Sequence, residues 1–213
     1  MTPVRAPACT GVILAGGQAT RFGGLPKGLE IVQGVRVIDR VAGALTGICD
    51  ALLLIANDPA AAHWLPGIPV TPDVRPGLGS LGGLLTALTS AGGPVLVVAW
   101  DMPFVPVGLL RTLRQTGESG AYDAVLPHSD SRRGAEPLCA YYTPACVAPI
   151  ERRLAAGDHR MIGFLDDVRA HWLGLATVRR FGEPARIFLN INSPADLETA
   201  QGLVQDLTDA GAE

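Results

Sequence analysis

The sequence has few charged and few aromatic residues, and it is almost without lysine. Of its 213 residues, 17% are charged and 5% are aromatic, and its 17 basic residues are sixteen arginines and a single lysine, Lys27. A net charge of −3 argues against binding of nucleic acid through bulk charge, so we expect no nucleic-acid partner. The hydrophobic content of 48% is that of a globular chain and excludes disorder of the whole chain.

Long hydrophobic runs and paired metal-binding motifs are also missing. The longest apolar runs, residues 51–56 and 94–100, are far shorter than the ~20 residues that a membrane-spanning helix needs. No apolar stretch precedes a cleavage site near the first residue, so we expect no secretory signal. The four cysteines form no CxxC pair, and no histidine spacing completes a zinc site. We therefore expect a cytoplasmic protein with reduced thiols and no membrane partner.

Short apolar runs alternate with helical repeats along the chain. The runs that predict strands are residues 12–15, 51–56, 95–99, 121–126 and 187–191. The repeats that predict helices are Val37, Val41 and Leu45; Leu81, Leu84, Leu85 and Leu88; Val107, Leu110 and Leu113; Val147, Ile150 and Leu154; and a last helix that begins after Ser193. Strands that are apolar on both faces suit a sheet covered by helices. We predict an α/β fold with a doubly wound, mostly parallel sheet and helices on both faces, in one domain over residues 1–213 with its core at about 10–207.

A glycine-rich loop follows the first predicted strand. Residues 16–28 contain five glycines together with Arg21 and Lys27. Glycines let consecutive backbone N–H groups approach an anion closely, and the two cations suit a polyphosphate. The chain uses arginine almost everywhere else, so its only lysine indicates a position where a compact ammonium is required. The spacing fits neither a Walker loop nor the GxGxxG pattern.

Polar side chains follow three later segments. Asn57 comes directly after the run 51–56, Asp73 follows a short stretch that contains two prolines, and Asp101 comes shortly after the run 95–99. Ligands of open α/β sheets bind at the carboxyl ends of the strands, so these side chains are candidates for ligand contacts. A carboxylate at such a place is the ligand type that Mg²⁺ prefers, with substrate phosphates completing its coordination.

Two further motifs are a second glycine-rich segment and a pair of asparagines near the end of the chain. Residues 77–82 satisfy GxGxxG, but a dinucleotide fingerprint should follow a strand directly in the first βα unit, and here prolines interrupt the approach. Near the end, Asn190 and Asn192 lie two residues apart in the predicted strand 187–191 and its continuation. Alternation along a strand would put both amides on one face, roughly 6–7 Å apart.

Several of these motifs together resemble one family. Residues 14–29, LAGGQATRFGGLPKGL, match the loop LAGG-x-x-x-RMGG-x-D-K-x-L of the nucleotidyltransferase family that includes molybdenum cofactor guanylyltransferase. The same family shows an Asp-Met-Pro motif, here at residues 101–103, and a closing F-x-N-[IV]-N-[ST]-P segment, here at residues 188–194. The chain departs from the family pattern at the following positions: Phe22, Pro26, Ser80, Trp100 and Glu136.

The resemblance implies a Rossmann-like fold, a reaction and a set of site residues. The reaction is transfer of GMP from GTP to the terminal phosphate of molybdopterin or its molybdenum form, with release of pyrophosphate and with Mg²⁺ as the cofactor. The implied contacts are phosphates at Leu14, Ala15, Gly16, Gly17, Arg21 and Lys27; Mg²⁺ at Asp101; the nucleoside at Asn57 and Asp73; and the acceptor and metal side at Asn190 and Asn192. Lys27, Arg21 and Asp101 are the expected catalytic residues of a monomer or weak oligomer.

Three alternatives stay open on the residues alone. The first is a relative that uses CTP or a sugar-phosphate acceptor. The second is an NAD(P)-binding oxidoreductase that uses the glycines of residues 77–82. The third is a binding protein that keeps the fold without turnover, for which the departures at Pro26, Trp100 and Glu136 leave room.

Overall fold

The computed structural model describes residues 8–15, 26–131 and 134–209, with side chains as far as residue 203. Its strands are β1 Thr10–Ala15, β2 Ile31–Val32, β3 Val35–Arg36, β4 Ala51–Ala56, β5 Val70–Thr71, β6 Val95–Ala99, β7 Ala124–Pro127, β8 Cys139–Tyr142 and β9 Ala170–Leu173. Its helices are α1 Val37–Leu45, α2 Gly79–Ala91, α3 Val107–Glu118, α4 Val147–Ala155, α5 Leu175–Val178, α6 Pro184–Ile187 and α7 Pro194–Asp209.

Seven of these strands form one central sheet in the order β5-β4-β1-β6-β8-β7-β9. Strand β1 pairs in parallel with β4 on one side and with β6 on the other, and β8 alone runs antiparallel to its two neighbours. The predicted doubly wound, mostly parallel sheet is thereby confirmed. From β1 the chain goes to β4 and β5 on one side and then to β6 on the other, so a topological switch point lies between β1 and β6.

The sheet is buried on both faces. One core cluster joins Ile13 of β1 to side chains of α1 and α3, and a second cluster joins Val12 and Leu14 to side chains of α2 and α4. Because neighbouring residues of a strand point to opposite faces, a strand between two helical layers must be apolar throughout. That is why the uninterrupted apolar runs at 12–15, 51–56 and 95–99 became central strands.

The five longer helices follow the repeats that predict them. The apolar face of α1 buries Val37, Val41 and Leu45, and α2 buries the leucine stripe from Leu81 to Leu88. Among the described residues, no helix is both long enough and apolar enough to cross a membrane.

The start of α7 is held by a reciprocal cap. The Ser193 hydroxyl accepts a hydrogen bond from the Asp196 backbone N–H, and the Asp196 carboxylate accepts one from the Ser193 N–H. Burial opposes ionisation of Asp196, but hydrogen bonds from Ser193 and Asn192 outweigh it and hold the pKa of this carboxyl below its ordinary value. The expected cap at Ser193 is confirmed.

The strand prediction for residues 187–191 is wrong. The segment begins as the end of α6, and the following residues up to 193 are irregular. Their apolar side chains divide between two core clusters, Ile187 and Phe188 in one and Ile191 in another, so the alternation reflects packing without a partner strand. The prediction for residues 121–126 was misplaced by a few residues, since β7 covers Ala124–Pro127.

Candidate active site

The carboxyl ends of the parallel strands bring the candidate polar residues to one edge of the sheet. Strand β4 ends directly before Asn57, β5 ends two residues before Asp73, and β6 ends two residues before Asp101. The segment that follows β1 leads to Lys27, which begins a short 3-10 turn over Lys27–Leu29. The crevice between β1 and β6 is the switch point at which doubly wound folds bind ligands.

Lys27, Asp101 and Asn192 meet in this crevice. The Lys27 ammonium donates to Asp101 Oδ2 at 2.5 Å and to Asn192 Oδ1 at 2.7 Å. The Lys27 side chain is 14% exposed and the Asp101 side chain 7%. Burial weakens solvent screening, so this ion pair is stronger than one on the open surface. The cluster joins residues that lie 74 and 165 positions apart in the sequence.

The backbone around Asp101 fixes this arrangement. A tight turn closes with a hydrogen bond from the Met102 N–H to the Ala99 carbonyl, which carries Asp101 over the end of β6. The Asp101 carbonyl accepts the Ile191 N–H at 3.0 Å and so holds the 190–192 segment beside the crevice. Asn190 and Asn192 therefore both line the cavity inside this crevice, although the segment that carries them is not a strand.

Asn57 and Asp73 form a second polar group along the same edge. Asn57 Nδ2 donates to Asp73 Oδ2 at 2.7 Å, and the Asp73 backbone N–H donates to Asn57 Oδ1 at 2.8 Å. Asp73 Oδ1 is buried and has no hydrogen-bond partner among the described residues. The buried Thr86 hydroxyl accepts the Val74 N–H at 3.0 Å, which anchors this loop to α2.

The glycines of residues 77–82 form the start of α2, and Gly83 lets the helix approach β1. Gly77 and Gly79 have positive φ values of 87° and 62°, which side chains rarely adopt. At the next position, a Cβ on Gly83 would lie 2.6 Å from Leu14 Cδ1 and 3.5 Å from Asp73 Oδ1. The segment follows the edge strand β5 and lies outside the first βα unit, so the topology does not support its reading as a dinucleotide fingerprint.

Trp100 packs beneath the Lys27 turn. Its ring stacks on Trp64 with centroids 5.2 Å apart, and a Cβ on Gly28 would lie 2.3 Å from its Cε3 atom. Trp100 Nε1 is buried and finds no hydrogen-bond partner in the part of the chain that the structure describes. Only a glycine at position 28 allows this close approach, so the large residue before Asp101 and the glycine after Lys27 fit one another.

A cavity of about 420 Å³ lies over the Lys27 cluster. Its lining consists of Leu14, Lys27, Ser80, Ala99, Trp100, Asp101, Met102, Glu136, Pro137, Leu138, Met161, Asn190 and Asn192. A second cavity of about 390 Å³ shares Ser80, Pro137 and Met161 with it and reaches His159 and Arg160. The sequence does not indicate this extension, because residues 159–162 carry no recognisable motif.

The remaining site predictions divide between described and undescribed residues. Leu14 lines the cavity, and Ala15 is the last residue of β1. Gly16, Gly17 and Arg21 lie outside the described residues, so their expected phosphate contacts stay predictions. Asn190 donates from Nδ2 to the Phe188 carbonyl at 3.0 Å, which fixes the orientation of its amide.

The donor set in the crevice fits one hard divalent cation that is shared with a substrate. The described residues contain no group of three or more histidine, cysteine, aspartate and glutamate side chains that could hold a metal alone. Mg²⁺ is often held by one or two carboxylates, with substrate phosphates completing the octahedron, and Asp101 supplies one such carboxylate. The amide oxygen of Asn192 is the second hard donor beside it.

Comparison with known proteins agrees with this geometry. Residues 11–171 match the MobA-like NTP transferase domain family. A molybdenum cofactor guanylyltransferase of Desulfosudis oleivorans is 32% identical over 199 residues, which is 93% of this chain and 96% of that one. A probable molybdenum cofactor guanylyltransferase of Deinococcus radiodurans is 37% identical over 194 residues, which is 91% and 94% of the two chains.

A solved structure is similar over nearly the whole length. Molybdopterin-guanine dinucleotide biosynthesis protein A of Archaeoglobus fulgidus superposes with a TM-score of 0.78 at 28% identity, and the match covers 92% of this chain and 99% of that one. The resemblance on which the motifs were interpreted is confirmed. The chain belongs to the MobA-like NTP transferase domain family.

Proposed function

We propose that this chain transfers GMP from GTP to the terminal phosphate of molybdopterin or its molybdenum form and releases pyrophosphate. The observation that carries the proposal is the Lys27–Asp101–Asn192 cluster at the switch point of a nucleotidyltransferase sheet. The names of the guanylyltransferase relatives support both the nucleotide and the acceptor. A relative that uses CTP on the same fold is the second candidate.

The proposed reaction requires the protein to position two substrates and to stabilise negative charge. An oxygen of the acceptor's terminal phosphate attacks the α-phosphorus of GTP, and the bond from that phosphorus to the bridging oxygen breaks. Pyrophosphate leaves with the bonding electron pair, and no covalent intermediate with the protein is required. Such a step depends mainly on alignment of the two substrates and on stabilisation of the developing negative charge.

In the proposal, Lys27 contacts the phosphates and Asp101 holds the metal. The ammonium has three donors, so it can keep its contact with Asp101 while it donates to a phosphate oxygen. Nucleotidyltransferases of this family generally use a divalent metal, and we propose that Asp101 holds Mg²⁺. Bound there, Mg²⁺ supplies positive charge to the polyphosphate and the leaving pyrophosphate. The backbone of residues 15–17 and the Arg21 side chain are proposed to hold the remaining phosphates.

Asn57 and Asp73 are proposed to hold the nucleoside. The buried Oδ1 atom of Asp73 lacks a hydrogen-bond partner among the described residues and is an acceptor for a base edge that presents N–H groups. Guanine presents two adjacent N–H donors on its Watson–Crick edge, and the choice of GTP over other nucleotides rests on the names of the guanylyltransferase relatives. Asn190 and Asn192 are proposed to face the acceptor, and the second cavity, which is lined by Arg160, is proposed to take the rest of it.

The unit in which this happens is also part of the proposal. We take residues 1–213 as a single nucleotidyltransferase domain that works in the cytoplasm as a monomer or weak oligomer. All the longer strands belong to one sheet with a core on each face, which supports the single domain. Light scattering of the purified protein tests the oligomeric state, and a mass well above one chain at micromolar concentration would contradict it.

Thermal unfolding with single nucleotides tests the choice of base. We expect the largest rise in Tm with GTP and Mg²⁺, and smaller rises with CTP, ATP and UTP. At 100 times its Kd a ligand adds about 2.7 kcal/mol, which is roughly 5–10 °C for a chain of this length. A larger rise with CTP would keep the family and change the base. A rise with NADPH alone, independent of Mg²⁺, would refute the whole assignment.

Two substitutions test the proposed roles. We expect Asp101→Asn to abolish turnover and the Mg²⁺-dependent part of the GTP shift, because the carboxylate charge is lost while the shape is kept. Asp167→Asn is the matched control, since it removes a carboxylate that pairs with Arg153 outside the site. Lys27→Arg keeps the charge but replaces a compact ammonium by a planar guanidinium, and we expect it to lose turnover as well. Near-normal turnover of either site variant would show that its assigned role is wrong.

A further inference from the structure

Cys9 and Cys49 pack in the same core cluster at the end of the sheet opposite the active site. Cys9 directly precedes β1, and Cys49 lies in the turn between α1 and β4. The substrates of the proposed reaction bind at the carboxyl ends of these strands, whereas the two thiols lie at their amino ends. The proposed reaction therefore gives these two thiols no role.

The backbone places the two sulfurs on the same face of the sheet. The Asp50 N–H donates to the Cys9 carbonyl at 2.9 Å, and the Cys9 N–H donates to Asp50 Oδ2 at 2.9 Å. Cys9 and Gly11 point to the same face because they lie two residues apart along β1. A Cβ on Gly11 would lie 3.0 Å from Cys49 Sγ, so the missing side chain at position 11 leaves the room that Cys49 occupies.

The two thiols differ in exposure. Cys9 is fully buried, whereas Cys49 is partly exposed at the edge of the same core cluster. Cys49 is therefore more accessible than Cys9 to a reagent in solution. This order is that of an attacking thiol and a resolving thiol.

The surroundings of Cys49 lower the pKa of its thiol. The hydrogen bond from Cys9 lowers the pKa of Cys49, and the Arg114 guanidinium lowers it further, against burial and the carboxylates of Asp50 and Glu118. Arg114 is itself held in place by Asp50 at 2.8 Å and by Glu118 at 2.6 Å. The Cys49 side chain and burial raise the pKa of Cys9, so Cys9 is the member of the pair that keeps its proton.

We propose that Cys9 and Cys49 form a redox-active dithiol that exchanges with low-molecular-weight disulfides. The Cys49 thiolate attacks one sulfur of the oxidant, a mixed disulfide forms, and one thiolate leaves. Cys49 is then neutral, so the charge that kept Cys9 protonated is gone. The Cys9 thiol gives its proton to the departed thiolate, and its sulfur attacks Cys49 Sγ and displaces the second thiolate. Two protein thiols are oxidised, and one small disulfide is reduced to two thiols.

The other two cysteines serve as internal controls. Cys139 and Cys146 are both fully buried. Burial raises the pKa of both, that of Cys146 to about 12. The Cys146 thiol also donates to the Asp123 carbonyl at 3.3 Å. Neither presents a thiolate to solvent, so neither should react while the protein is folded.

Glutathione disulfide is the probe for the proposed site. The folded full-length protein is incubated with it, quenched with iodoacetamide and measured by intact mass and by peptide mapping without reduction. We expect wild-type protein to lose two hydrogens in mass and to give a peptide that joins Cys9 to Cys49. Cys9→Ser should stop at one glutathione adduct on Cys49, and Cys49→Ser should leave Cys9 unmodified. Without the disulfide, iodoacetamide should label Cys49 about tenfold faster than Cys139 or Cys146.

Other outcomes overturn the proposal. A lasting glutathione adduct on wild-type Cys49 would show that Cys9 does not resolve it. Modification of Cys9 in the Cys49→Ser variant at the wild-type rate would show that Cys49 is not the attacking thiol. Unreacted wild-type protein would remove the site altogether. Because Cys9 is fully buried, its variant can fail to fold, and the peptide map of the wild-type protein then decides without it.

Discussion

A methyl group added at position 28 tests whether the Trp100 ring holds the Lys27 turn in register with Asp101. In Gly28→Ala the new Cβ would lie 2.3 Å from Trp100 Cε3 and 2.7 Å from Cδ2, where carbon atoms prefer 3.5–4.0 Å. The ring is fully buried against Trp64 and cannot move away freely. The Lys27 turn must therefore shift instead, by about 1 Å.

The shift has two measurable effects. Overpacking of this kind lowers the free energy of unfolding by about 1–3 kcal/mol, which urea denaturation measures. A displacement of about 1 Å at a reacting group can reduce turnover on the order of 100-fold. Gly43→Ala is the matched control, because nothing lies within 4 Å of its Cβ and the position is exposed on α1. We expect that variant to keep turnover and to gain up to about 1 kcal/mol from the helix preference of alanine.

A second substitution removes the obstacle. Trp100→Leu in the Gly28→Ala background opens the space that the methyl group needs, so part of the lost stability and turnover should return. A coupling of at least about 1 kcal/mol between the two substitutions is expected for residues in contact. Equal stability and equal turnover of the Gly28→Ala and Gly43→Ala proteins would refute the idea that Trp100 positions this turn. So would strictly additive effects of the two substitutions.

Three further substitutions each alter one hydrogen-bonding side chain. Asn192→Ala should reduce turnover at least about tenfold and leave stability within about 0.5 kcal/mol, since the side chain is exposed and, among the described residues, hydrogen-bonds only to Lys27. Steady-state kinetics and urea denaturation check this. Thr86→Val removes the acceptor of the Val74 N–H, so we expect a loss of about 1 kcal/mol and a smaller GTP-induced rise in Tm. Hydrogen bonds from Arg169 and its charge hold the pKa of Asp123 below its ordinary value. This pair therefore stabilises the fold fully at pH values above about 4, the pKa of aspartate in the unfolded chain. The stabilisation is lost as the pH falls through the lower pKa that Asp123 has in the folded protein. Asp123→Asn should therefore be less stable than wild type at pH 7, and unfolding curves should converge toward pH 2; a constant difference would contradict this.

The central strands could be predicted from the sequence because burial on both faces leaves no polar position in them. The bounds 51–56 and 95–99 agree with β4 and β6 to the residue. The segment 187–191 is also apolar apart from Asn190, yet it pairs with no strand in the part of the chain that the structure describes. Alternation alone does not distinguish a strand from a loop whose side chains enter two different cores. Strand β8 was missed because its antiparallel position depends on β6 and β7.

The candidate site was predictable where a polar residue follows a strand. Asn57, Asp73 and Asp101 are such residues, and parallel strands bring their ends together without further information. The contact of Lys27 with Asn192 joins residues 165 positions apart, and no local pattern specifies it. The same is true of Gly28 against Trp100, whose fit depends on a distance that only the packed structure defines.

Release of pyrophosphate with both substrates present tests the central claim most directly. The purified protein is given GTP, Mg²⁺ and molybdopterin, and each component is omitted or replaced in turn, GTP by CTP and Mg²⁺ by a chelator. The account predicts that pyrophosphate forms only when GTP, the divalent metal and the acceptor are all present, and that a guanine dinucleotide of the pterin accumulates in equal amount. Release with CTP in place of GTP, or none with any nucleoside triphosphate, would contradict it.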